Sequence, residues 1–102
     1  MTLYVVMYDQ RATYYDYSPL YRLLQGWNAA QLQNSVWLVD FDGTAEDVNK
    51  AMAPHFDHRD KVAVIELSAS GADWAAYQCR PEGMAWLKAR FPLKVTPTDR
   101  AN

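Results

Sequence analysis

Asp9 is the residue of this 102-residue chain whose type and position most readily suggest chemistry. It ends the apolar run Leu3-Tyr4-Val5-Val6-Met7-Tyr8 and is followed by Gln10 and Arg11. A carboxylate at the end of a buried strand can hold Mg²⁺ through its oxygens and waters. Two such carboxylates brought together would raise one pKa, which itself favours a cation. The competing use is local: Asp9 can cap the following loop by accepting backbone N–H bonds. Tyr14, Tyr15 and Tyr17 come next, between Arg11 and Arg22. These rings could stack on unpaired bases while the arginines meet phosphate. They could equally pack in a dimer interface or at a core rim, and the scarcity of cations in the loop favours that use.

Three further groups carry chemical potential. His55, Asp57, His58 and Asp60 lie in H-F-D-H-R-D, with the histidines three apart, a spacing that serves a metal on a helix. Pro54 precedes them, so a solvated turn whose aspartates accept backbone amides is the better account. Asp40 and Asp42 flank Phe41 at a strand end, where alternation puts both on one face. Paired carboxylates there could bind a metal, against the simpler account of a solvated turn. Cys79 is the single cysteine, with no His or Asp near it in sequence, and reads with Trp74 as packing.

These residues must be held by a small set of elements. Leu3 to Tyr8 predicts a buried strand, apolar on both faces. Ser18 and Pro19 suit the start of a helix, and Leu20, Leu23, Leu24 and Trp27 give it one apolar face; Gly26 and Asn28 weaken its end. Gln31 to Phe41 predicts extended chain, alternating at first and apolar from Val36 to Val39. Asp42-Gly43 is a turn signal, and Thr44 caps a second helix with Asp47 at the capping-box position. Ala45, Val48 and Met52 form its apolar face, and Pro54 ends it. Lys61 to Leu67 predicts a Val/Ile-rich strand, Ser68 to Gly71 a loop, and Asp73 to Cys79 a short further strand. Pro81 opens a last helix on which Met84, Leu87 and Phe91 share a face, closed by Pro92. A single domain over residues 1–92 and a fraying tail over 93–102 follow.

Half of the residues are hydrophobic and 14% aromatic, enough for a core, and the seven Tyr and four Trp suggest an interface with a second copy. The formal net charge of −2 weighs against a stand-alone duplex-binding protein, which needs a basic face. The opening residues carry neither a basic leader nor an apolar run of membrane length, which leads to the expectation of a cytoplasmic protein without a membrane partner.

Three spaced blocks carry a resemblance: the strand ending Tyr8-Asp9, then Gln33-Asn34-Ser35-Val36-Trp37-Leu38-Val39, then Asp60-Lys61-Val62. Over about residues 3 to 67 they resemble the CRISPR-associated Cas-two family. With Pro54-His55-Phe56-Asp57 and Trp86-Leu87-Lys88, the whole chain is more similar to solitary SinR-like small proteins of that superfamily, and more distantly to VapD. The resemblance implies an α+β, ferredoxin-like βαββαβ sandwich, here with an additional C-terminal strand and helix, acting as a homodimer. It implies that Asp9 of two subunits face each other across the symmetry axis, as catalytic residue and metal ligand of a Mg²⁺-dependent endonuclease on RNA or DNA. Other members of the family act as non-catalytic scaffolds. Arg11, Arg22, Tyr14 and Tyr15 are the candidate nucleic-acid contacts, although the family's basic cluster after the aspartate is reduced here to Arg11. The βαββαβ order requires Gln31 to Phe41 to break into two strands, or 28–33 to supply an edge strand of its own.

Overall fold

Alternation along the first strand sets the architecture. The computed structural model describes residues 1–67 and 74–91 of the chain. In β1 (Thr2–Asp9), Tyr4, Val6 and Tyr8 are buried on one face, while Leu3, Val5 and Met7 are half-buried on the other. Both faces carry apolar residues because Tyr4, Val6 and Tyr8 join the main core on one side while Leu3 and Val5 pack against the α3 cluster on the other.

The remaining elements are α1 (Ser18–Gly26), β2 (Ala30–Gln33), β3 (Val36–Phe41), α2 (Ala45–Met52), β4 (Lys61–Leu67) and α3 (Pro81–Arg90), with a 3₁₀ turn at Ala53–His55. The fold is therefore α+β, with three α-helices and a four-stranded antiparallel sheet among the described residues, in the order β2-β3-β1-β4. That order is compatible with a ferredoxin-like βαββαβ arrangement. Gln31 to Phe41 breaks into two strands at Asn34-Ser35, with an irregular register between Gln31 and Gln33.

Local chemistry places the helix ends. Ser18 is the first residue of α1 rather than its cap; the N-terminal amide of Ser18 donates instead to Asp16 Oδ1 at 3.0 Å. Asn28, at φ 56°, ends α1 in the left-handed region. The amides of Asn28 and Ala29 there donate to the carbonyls of Gln25 and Leu24, both at 3.0 Å, which closes the helix as a Schellman motif. Thr44 and Asp47 form the expected capping box. Pro54 does not stop the chain at once, because the 3₁₀ turn carries it to His55.

Leu20 and Leu24 of α1 and Val48 and Met52 of α2 meet Tyr4, Val6, Trp37 and Val39 in the main core. Deleting any one of the four aliphatic side chains from the helices would cost about 2–5 kcal/mol. On the opposite face, α3 lays Trp86 and Leu87 with Phe91 against Leu38 and half-buried Ala30, Leu32 and Leu67. Gly83, not Met84, is buried with Trp86 and Leu87 on the packed face of α3, where a Cβ would collide with the β2 backbone. The helix covers the β2–β3 half of that face, with Leu3, Val5 and Leu67 packed at the margin of its cluster; among the described residues the β1–β4 side near Asp9 is less covered, and Ile65 is 50% exposed.

The strand expected over 73–79 does not form among the described residues: 74–79 is irregular, and Gln78 at φ 54° turns the chain toward α3. Asp73, the expected loop at 68–71, Pro92 and the expected tail lie outside the described residues. No helix among the described residues is long and apolar enough to cross a membrane.

Candidate nucleic-acid interface at the Asp9 end of the sheet

Antiparallel pairing of β1 with β4 sets Asp9 opposite Lys61. Asp9 is the last residue of β1 and its side chain is about half exposed, with Oδ2 3.1 Å from Arg11 Nη1. One anion thus stands between a cation two residues on and another across the ladder. Met7, Asp9, Lys61 and Ala63 line a shallow depression of about 290 Å³ on the less covered side of the sheet.

Asp60 folds the tyrosine-rich loop back onto this end. Its Oδ1 accepts the Arg11 backbone N–H at 2.7 Å and the Tyr17 hydroxyl at 2.8 Å. Its Oδ2 accepts the Asp57 N–H at 2.8 Å. Burial works to raise the Asp60 carboxyl, and these three donors outweigh it, holding the group below its ordinary value. Burial, then the bond to Asp60, pushes the Tyr17 hydroxyl up to about 12. Tyr17 in turn braces Tyr15, ring centroids 4.9 Å apart, and meets Phe56 at 6.4 Å.

Four of the five expected residues divide between two adjoining places. Asp9 and Arg11 sit at the strand end, and Tyr14 and Tyr15 line a notch of about 340 Å³ with Thr13, Asp57 and Arg59. Tyr14 is 99% exposed. Arg22 is not joined to them by any hydrogen bond or ion pair among the described residues; it is exposed on α1, where its charge helps the stronger Ser18 hydrogen bonds lower the Asp16 carboxyl.

The other candidates resolve into structural roles. Asp57 Oδ1 accepts the Arg59 amide at 3.0 Å and Arg59 Nε at 2.9 Å, and lies 3.5 Å from His58 Nδ1. The Arg59 bonds hold the Asp57 carboxyl below its usual range. His55 belongs to the 3₁₀ turn. Asp40 is held by Arg90, which also lies over the Trp86 ring at 4.2 Å, so the Asp40–Asp42 pair is not a free carboxylate site. Trp74 donates to the Phe91 carbonyl at 2.7 Å, and Cys79 Sγ is approached by Gln33 Nε2 at 3.8 Å, both packing contacts.

Among the described residues no three His, Cys, Asp or Glu side chains gather to hold a metal ion. Lys61 and Arg59 are not legible in the sequence as parts of this end, because only the β1–β4 register sets Lys61 beside Asp9 and only the folded loops set Arg59 beside Tyr14 and Tyr15. No family model matches the chain, and no solved structure matches it.

Proposed function

We propose that this chain is a Cas-two-like homodimeric adaptor that holds nucleic acid at its Asp9 end without cutting it. The observation that carries the reading is the company Asp9 keeps: Arg11 at 3.1 Å and Lys61 opposite, with Tyr14 and Tyr15 on the adjoining loop. Cations and exposed rings suit phosphate and unpaired bases, whereas a carboxylate already flanked by two cations suits a metal poorly. The second copy joins through the less covered side of the sheet, where Met7, Ala63 and Ile65 leave an apolar surface with Asp9 at its rim. The experiment is a binding and cleavage assay on single-stranded RNA and DNA, run with EDTA and then with Mg²⁺, beside sedimentation velocity. A dimer that binds in EDTA and leaves the strand intact in Mg²⁺ supports the reading. Mg²⁺-dependent cleavage that disappears in a still dimeric Asp9→Ala variant overturns it.

That second outcome corresponds to a Mg²⁺-dependent endonuclease, and one observation favours it. The Asp9–Arg11 pair is exposed on both sides, so it contributes at most about 1 kcal/mol and yields readily to a divalent ion shared between two copies of Asp9. Bound there, Mg²⁺ would supply charge stabilisation to a phosphodiester under attack.

A further inference from the structure

The notch beside Tyr15 has a fixed wall, a loose wall and a polar floor. The fixed wall is Tyr15, braced by Tyr17, which Asp60 and Phe56 hold in turn. The loose wall is Tyr14, a large ring left 99% exposed. An exposed ring of this kind offers a free face on which an unpaired base can stack. The floor is Asp57, whose side chain is 16% exposed. Its Oδ1 is engaged by Arg59 and His58, while no hydrogen bond among the described residues reaches Oδ2. Arg59 binds Asp57 through Nε, and neither of its terminal nitrogens is engaged by a described residue.

With Tyr14 and Tyr15 both lining the notch, a flat ring stacked on Tyr15 would turn an exocyclic amino group to the open Asp57 oxygen and an anion to the outer nitrogens of Arg59. An unpaired nucleotide combines these three features. In a duplex the base is stacked and paired, so neither tyrosine could reach its face. Among bases, adenine and cytosine offer an amino donor on the edge that uracil and thymine fill with a carbonyl acceptor.

We propose that the notch formed by Thr13, Tyr14, Tyr15, Asp57 and Arg59 binds one unpaired base of a single strand and prefers adenine or cytosine over uracil or thymine. This rests on the nucleic-acid reading above and adds to it the strand state, the base class and two residues, Asp57 and Arg59. The cation shortage of the loop read alone is eased, because Arg59 arrives from a different loop.

The test is fluorescence anisotropy in EDTA with labelled hexanucleotides of A, C and U, and of deoxy-A, deoxy-C and T. The A and C strands should bind more tightly than U or T in both sugar series. Tyr15→Ala should weaken every strand by about fivefold or more, the loss of one stacked base. Asp57→Asn places an amide N–H where Oδ2 stood, which should move the preference toward U and T. If either variant loses its thermal transition, Tyr14→Ala replaces it, since that exposed ring supports nothing in the fold, and it too should weaken binding. Equal affinity for all strands, with no response to Tyr14→Ala or Tyr15→Ala, overturns the notch. If that binding still falls with Arg11→Ala, the adaptor reading survives alone. Failure of every strand to bind overturns both.

Discussion

Both oxygens of Asp60 are taken up by donors from two separate loops, the amide of Arg11 and hydroxyl of Tyr17 on one side and the amide of Asp57 on the other. Asp60→Ala would leave these donors to water or to nothing. We expect a loss of about 2 kcal/mol in chemical denaturation, with Asp60→Asn losing less because it keeps one acceptor oxygen. The folded carboxyl is held below its ordinary value of 3.8, so its contribution is complete above that pH. It should fade as the pH falls below about 3.8 and through the lower folded value, and the acid limb of a stability–pH curve should flatten in Asp60→Asn. An aspartate that satisfies turn amides is legible from H-F-D-H-R-D. Its partner Arg11 is not, because 49 residues separate the two and only the sheet register joins them. Asp9 was legible as the end of a buried strand for the same local reason, and its cationic neighbour Lys61 was hidden by the same distance.

At the scale of elements, the tightest joint is the crossing of α3 over β2. A Cβ on Gly83 would lie 2.6 Å from Leu32 Cα and 2.8 Å from the Gln31 carbonyl oxygen, both backbone atoms that cannot swing aside. Gly83→Ala should therefore lift α3 from the sheet and cost about 1–3 kcal/mol, read as a lower urea midpoint with altered fluorescence of buried Trp86. The cap of α2 gives a gentler case: Thr44→Ala removes the acceptor for the Asp47 amide and should cost about 1 kcal/mol by the same measurement. Period and capping made the helices and the Val/Ile-rich strands readable. The short edge strand β2 was readable as an alternative only, because four half-polar residues acquire their identity from pairing with β3. The strand expected near Trp74 failed for the converse reason. Its Trp-Ala-Ala-Tyr residues find no neighbouring strand among the described residues, and the positive φ of Gln78 turns the chain out of extended geometry.

For the molecule as a whole, the sheet is dressed unequally. One face is covered by α1 and α2, and the other, among the described residues, by α3 on its β2–β3 side. On the dimer proposed above, Ile65→Asp should shift sedimentation to the monomer and leave the thermal transition of the monomeric fold in place, since this side chain is half exposed and belongs to neither core cluster among the described residues. A variant that stays dimeric would send the search for the interface elsewhere. The late position of α3 has another consequence, in time rather than space. Residues 1–67 contain the four strands and both helices of the main core, so this much of the chain holds the material of a sheet before α3 has left the ribosome. Until α3 emerges, Leu38, Ala30 and Leu32 lack their cover, and the nascent protein passes through a period in which a sticky, half-finished surface is open to other chains. Slowing translation between β4 and α3 should lengthen that period and raise the fraction lost to aggregation, while adding α3 as a free peptide in trans should lower it.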